Sequence, residues 1–147
     1  METFSNKQGW KDRIKKLTVK TGARSDMIDI TGMIRSVVRE SNIQNGFCYV
    51  FVPHTTAAVT INENADPDVS RDMLMALDKA IPWHDQYRHQ EGNAAAHVKS
   101  SLVGASVVVL IEDGNLILGT WQSVFFCEFD GPRTREVLVK VTSSEQG

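Results

Sequence analysis

The chain has 147 residues, 41% hydrophobic and 23% charged, which is the make-up of one ordinary domain able to bury its own apolar core. Its net charge of -2 excludes a broad electrostatic attraction to nucleic acid or to an anionic membrane, although a few local arginines can still bind phosphate. No stretch approaches the ~18 apolar residues of a membrane span, and the charged start lacks the apolar run of a secretory signal, so a cytoplasmic protein with no membrane partner is expected.

A single domain is expected over residues 1–147, with residues 1–12 polar and flexible. Arg13–Val19 reads as a strand, Thr21–Ser25 as a turn and Met27–Ile30 as a short strand. Thr31 is placed to cap a helix reaching about Asn42, with Ile34, Val37, Val38 and Ser41 on one stripe. Asn45-Gly46 stops that helix, and Phe47–Pro53 follows as a strand. Its aromatics share one face and Cys48, Val50 and Val52 the other, which predicts cover on both faces. Ala57–Glu63 is the next strand.

Asp66-Pro67-Asp68 is the clearest helix start, combining a cap, a proline suited to the first turn and an acid at the positive helix end. Val69, Met73, Ala76, Leu77 and Ala80 are its predicted buried stripe, and Pro82 ends it. Trp83–Asn93 is a long polar loop, a length that is often functional. Ala94–Leu102 is helical and stops at Gly104. Ser106–Ile111 is a strand, Asp113-Gly114-Asn115 a hairpin turn, and Leu116–Asp130 one long returning strand. Gly131-Pro132 turns the chain into the last strand, Arg133–Thr142. About seven strands and three helices in this order predict an α+β fold with a mixed or antiparallel, sandwich-like sheet core. Cys48 and Cys127 lie in apolar runs without CxxC spacing, so they read as buried free thiols.

Three of the four histidines stand among small and polar residues: His54 before Thr55-Thr56, His89 before Gln90-Glu91-Gly92-Asn93, and His97 after three alanines. Neutral imidazole is a common metal ligand and a base near neutrality, so these segments are the candidate site. No HxxxH or HxH pair supports a metal by spacing. Glu63 lacks the capping task of Asp66 and suits a general base or a ligand. Thr120 and Gln122 share a face in Gly119-Thr120-Trp121-Gln122, where glycine marks a bulge or close approach. Arg133 and Arg135, two residues apart, suit a clamp for phosphate or carboxylate, or else an exposed salt-bridged face.

Together these segments resemble the YjbQ-like family, also called secondary thiamine-phosphate synthase enzymes. The matching residues are His54-Thr55-Thr56-Ala57-Ala58, Asn62-Glu63-Asn64-Ala65-Asp66-Pro67, His89, Glu91-Gly92-Asn93, and His97 with Lys99-Ser100-Ser101. Gly119-Thr120-Trp121-Gln122 and Asp130-Gly131-Pro132-Arg133 with Arg135 complete them. The resemblance implies a YjbQ-like fold, a homotrimer and a polar metal-binding cleft. The implied reaction joins hydroxymethylpyrimidine diphosphate to thiazole phosphate and releases pyrophosphate. On this reading His54, His89 and His97 hold a divalent metal, zinc as isolated or magnesium, while His84 lies outside its shell. Glu63, Gln122, Arg133 and Arg135 are the catalytic candidates. Thr55, Thr56, Asn93, Thr120 and the two arginines would bind the phosphorylated substrate, or phosphate or sulfate. Ala95 stands where many relatives carry a carboxylate. The alternative is a trimer that binds metal or anion without catalysis.

Overall fold

The computed structural model describes residues 13–145, so the expected flexibility of residues 1–12 lies outside the described residues. Strands β1 (Lys15–Lys20) and β2 (Asp26–Asp29) lead into helix α1 (Thr31–Ser41). Next come β3 (Gly46–Phe51), β4 (Ala57–Glu63), α2 (Pro67–Ala80) and α3 (Ala94–Val103). The chain finishes with β5 (Ser106–Glu112), β6 (Asn115–Leu116), β7 (Gln122–Glu128) and β8 (Thr134–Ser143). All pairings are antiparallel. One sheet has the order β1-β8-β3-β5-β6, the other β2-β7-β4. The fold is α+β, as the element order predicts.

The main core lies between the inner faces of the two sheets and the apolar stripe of α1. Alternation writes it: Cys48 and Val50 of β3 and Val137, Val139 and Val141 of β8 all face inward with Ile34, Val37 and Val38 of α1. Both cysteine thiols are buried, and burial pushes each up to about 12.

Three local expectations are corrected. Thr31 sits inside α1, not at its cap. Its N–H bonds the Asp29 carboxylate at 2.9 Å, and its hydroxyl accepts from the Val124 N–H at 2.8 Å. Asn42, in the left-handed region at φ 58°, ends that helix before Asn45-Gly46 is reached. The long strand Leu116–Asp130 is broken. Asn115 pairs with Glu112 across the two-residue turn Asp113-Gly114, whose φ values are both positive. The chain then crosses to the second sheet, folded by two bonds: Gly119 N–H to Gln122 Oε1 at 2.7 Å and Gln122 N–H to the Gly119 carbonyl at 3.0 Å.

Helix α2 begins as predicted, with Asp66 accepting from the Asp68 N–H at 2.9 Å and Pro67 in the first turn. Its stripe is shallower than predicted: Val69, Met73, Leu74 and Leu77 are half-buried, while Ala76 and Ala80 are exposed. The outer face of β3 also departs from expectation, because Phe47, Tyr49 and Phe51 are exposed in the single chain.

Candidate functional site

The end of β3, the start of β4, the start of α3 and the start of β8 meet at one end of the molecule. Pro53, which has no N–H to donate, turns the chain out of β3, and His54, Thr55 and Thr56 follow before pairing resumes at Ala57. These residues, with Glu91, Asn93, His97, Asp130, Arg133 and Arg135, line a cleft of about 320 Å³. A second hollow of about 480 Å³ shares His54, Thr55 and His97 and continues past Ser100 to Ala105. His54 and His97 therefore stand on a wall common to both.

His54 is oriented by an unusual bond. The Glu136 backbone N–H donates to its Nε2 at 2.9 Å. An imidazole that accepts at Nε2 and is neutral carries its proton on Nδ1, so the ring is set to donate from Nδ1. Burial, and then the charge of Arg135, lower the His54 pKa, which favours that neutral form.

The two arginines have different tasks. Arg135 falls on the inward side of β8, in phase with Val137, and is only 5% exposed. Its Nε donates to Glu128 Oε1 at 2.8 Å, and its Nη2 to Glu128 Oε2 and to the Thr56 hydroxyl. Glu128 is fully buried and also accepts from the Thr21 hydroxyl at 2.8 Å and the Asp130 N–H at 2.9 Å. Burial pushes its carboxyl up, but Arg135 and these other donors outweigh that and hold it below the usual range. Arg135 is thus a brace under the cleft. Arg133 precedes β8 and is exposed, so the two guanidinium groups do not share a strand face as the spacing predicted. Asp130 holds Arg133 by its carbonyl to Nε, 2.7 Å, and its carboxylate to Nη2, 3.0 Å. Nη1 makes no hydrogen bond or ion pair among the described residues.

Asn93 precedes α3 and is 6% exposed. It gives the helix no side-chain cap. Instead its Nδ2 donates to Asp130 Oδ2 at 2.8 Å and Glu91 Oε2 at 3.2 Å, two carboxylates that fix which end of the amide is nitrogen. Its Oδ1 is buried without a partner among the described residues. An unpaired buried acceptor costs about 1–3 kcal/mol, so this oxygen faces inward at a standing penalty that a donor or cation would remove.

His89 is exposed and does not line the cleft. Its ring meets His97 edge-on at 5.2 Å between centroids, and its Nε2 is 3.8 Å from Glu91 Oε1. Among the described residues, no three His, Cys, Asp or Glu side chains stand close enough to hold a metal ion. His84 is exposed in the α2–α3 loop and lines neither hollow. Ala95 is fully buried on the inner face of α3, so the missing carboxylate does not come from the cleft wall.

Glu63, Thr120 and Gln122 lie elsewhere. Glu63 and Gln122 are register partners at the far end of β4 and β7. Six strand steps separate Glu63 from the cleft end of β4, about 20 Å at 3.3 Å per residue. Thr120 is in the crossing turn. Conversely, the sequence reading assigns no role to Asp130, Glu91 or Glu128, the carboxylates that set Arg133, Asn93 and Arg135. The signal for Glu91 and Asp130 is their own place in the matched segments Glu91-Gly92-Asn93 and Asp130-Gly131-Pro132-Arg133; Glu128 lies in neither and has no such signal.

Residues 15–144 match the family model described as UPF0047 protein YjbQ-like. The UPF0047 protein YugU of Bacillus subtilis is 55% identical over 129 residues, covering 87% of this chain and 98% of its own. A UPF0047 protein of Methanocaldococcus jannaschii is 51% identical over 126 residues, covering 86% of this chain and 91% of its own. The crystal structure of a YjbQ/UPF0047 protein from Clostridium acetobutylicum superposes with a TM-score of 0.86 at 52% identity, covering 86% of this chain and 98% of that one. A protein of unknown function from Sulfolobus solfataricus gives the same TM-score, 0.86, at 32% identity over 90% of this chain and 97% of that one. The chain belongs to the YjbQ-like UPF0047 family.

Proposed function

We propose that the chain is an enzyme of the thiamine-phosphate synthase type, joining hydroxymethylpyrimidine diphosphate to thiazole phosphate with release of pyrophosphate. One observation carries this reading: Arg133, His54, Thr55 and His97 line a single cleft at a helix start that no side chain caps. A departing diphosphate gains negative charge, and fixed positive groups stabilise it. Arg133 is held by Asp130 at two nitrogens, which leaves Nη1 for a phosphate oxygen. The positive end of α3 adds to the same field. His54 offers an Nδ1–H donor, and Thr55 a hydroxyl. His97, facing both hollows, is the ring available for proton transfer.

A divalent ion, zinc or magnesium, is part of the proposal. Its donors would be the imidazoles of His54 and His97, the Glu91 carboxylate and the unpartnered Asn93 Oδ1 of the cleft, with His89 joining from outside it; among the described residues these side chains do not stand close enough to hold the ion without moving. Bound there, the ion would supply Lewis-acid neutralisation of diphosphate oxygens. To join it, His54 would give up the Glu136 N–H. A homotrimer is proposed as well, supported by the bare apolar face of β3.

The second reading, a metal- and anion-binding trimer without catalysis, is favoured by the distance of Glu63 and Gln122 from the cleft of their own chain. Incubation with both phosphorylated halves separates the two. Formation of thiamine phosphate by the parent chain, lost in Arg133→Ala, supports the enzyme. Tight pyrophosphate binding without product supports the second reading.

A further inference from the structure

Another cavity lies at the far end of the five-stranded sheet from the cleft. Arg35, Val38 and Arg39 of α1 and Gly114, Asn115 and Leu116 of the β5–β6 hairpin line a pocket of about 240 Å³. Register puts it there. Gly46 at the start of β3 pairs with Ile111, just before the hairpin turn, whereas the cleft follows the other end of β3, about 20 Å away at 3.3 Å per residue. Arg35 and Arg39 are four residues apart, so they share one side of α1. Both are exposed, and neither guanidinium makes a hydrogen bond or ion pair among the described residues. Val38 and Leu116 are buried and give the pocket an apolar floor. No carboxylate lines it. Glu112 leaves the sheet on the opposite face from the buried Ile111, and Glu40 stands about 100° round α1 from Arg39. The cleft differs, because Arg133 and Arg135 are already paired there with Asp130 and Glu128.

The backbone adds a donor. Glu112 pairs with Asn115 and Ile111 with Leu116, and the Ile117 N–H bonds the Leu110 carbonyl at 2.8 Å. Bonded pairs alternate along an antiparallel ladder, so the Leu116 N–H points away from β5. Strand β6 is last in its sheet, and that N–H faces the open edge beside the pocket. We propose that this pocket binds the phosphate group of a small phosphate monoester, at a site separate from the cleft. Guanidinium groups bind phosphate oxygens bidentately and stay charged at any working pH, and the Leu116 N–H suits a further oxygen. The negative end of α1 lies beside Arg39 and offsets part of its charge, so both arginines are needed. Size limits the ligand. Sites for drug-sized molecules run about 300–1,000 Å³, so this one holds a phosphate on a short carbon skeleton and not a nucleotide. The site does not depend on the function proposed for the cleft.

The test is an NMR titration of the parent chain with inorganic phosphate and with glycerol phosphate, following the Gly114 and Leu116 amides. Saturable shifts at both amides are expected with each compound, and none with sodium chloride at equal ionic strength. Arg35→Gln/Arg39→Gln should weaken binding at these amides by about tenfold or more, the scale of one lost hydrogen bond to a charged group. Arg133→Ala should leave binding at these amides unchanged. Each single arginine variant should bind more weakly than the parent, which keeps the test decisive if the double variant folds poorly. Absent saturation at Gly114 and Leu116, equal shifts with chloride, exclusion of glycerol phosphate, or parental affinity in the arginine variants overturns the site. The His54 ring signals report the cleft in the same titration. Silence there with saturation at Leu116 leaves this site standing and counts against the proposed function. Saturation at His54 alone does the reverse.

Discussion

Replacing Arg135 by alanine should cost folding stability rather than only ligand binding. The guanidinium is 5% exposed and the Glu128 carboxylate fully buried, so the change strands a charge in the interior. Breaking a buried pair by removing one partner costs about 3–5 kcal/mol. Glu128 keeps the Thr21 hydroxyl and the Asp130 N–H, which places the loss near the lower end, about 3 kcal/mol. With a urea slope of about 1–3 kcal/mol/M, the midpoint should fall by at least about 1 M. The pH dependence gives a second signature. In the parent chain the Glu128 pKa is lowered, so its ionised form stabilises the fold above the ordinary value of 4.5 and that stability fades as pH falls through the lower folded value. Without Arg135 burial dominates, the carboxyl rises, and its charged form opposes folding at neutral pH. The gap between parent and variant should therefore be widest near neutrality and narrow below about pH 4.5. Urea titrations at several pH values read both quantities. Superimposable curves, together with a loss of pyrophosphate affinity equal to that of Arg133→Ala, would refute the brace and make Arg135 a ligand contact.

Other outcomes follow from single sites. Gly46→Ala drives a Cβ into the Thr142 carbonyl across the β3–β8 pair, so it should lower the thermal midpoint by an amount matching an overpacking cost of about 1–3 kcal/mol or more; an unchanged midpoint would mean the strands can part freely. His54 should titrate below 6.5 by NMR and hold its proton on Nδ1 when neutral; because its folded pKa is lowered, the stability it contributes is present above 6.5 and lost as pH falls through the folded value. Metal content measured by elemental analysis should drop in both His54→Ala and His97→Ala, and unchanged content in both would remove the ion from the proposal.

Much of the fold is legible in the sequence because its strands alternate and its turns use committed residues. Asp66-Pro67 and Asp113-Gly114 act where their chemistry says they should. The break after Leu116 was not legible, since it depends on the Gln122 side chain folding back onto the Gly119 N–H. The inward turn of Arg135 is legible in principle, since it alternates in phase with Val137, Val139 and Val141, whereas Arg133 lies before the strand begins and follows no such alternation. Likewise Thr56 and Glu63 bracket one strand, so their separation was written in their spacing. What the sequence does not carry is which polar groups are already spoken for. The Glu136 N–H on His54 and the Asp130 bonds to Asn93 and Arg133 come from segments far apart in the chain.

The most direct test of the central claim is calorimetric titration of pyrophosphate into the parent chain and into Arg133→Ala. A cleft built for a phosphorylated ligand predicts saturable binding by the parent. The variant should bind more weakly by about 1.5–3 kcal/mol, the range for a hydrogen bond to a charged group, with its urea midpoint preserved. Equal affinity in the two chains, or no binding by either, would contradict it.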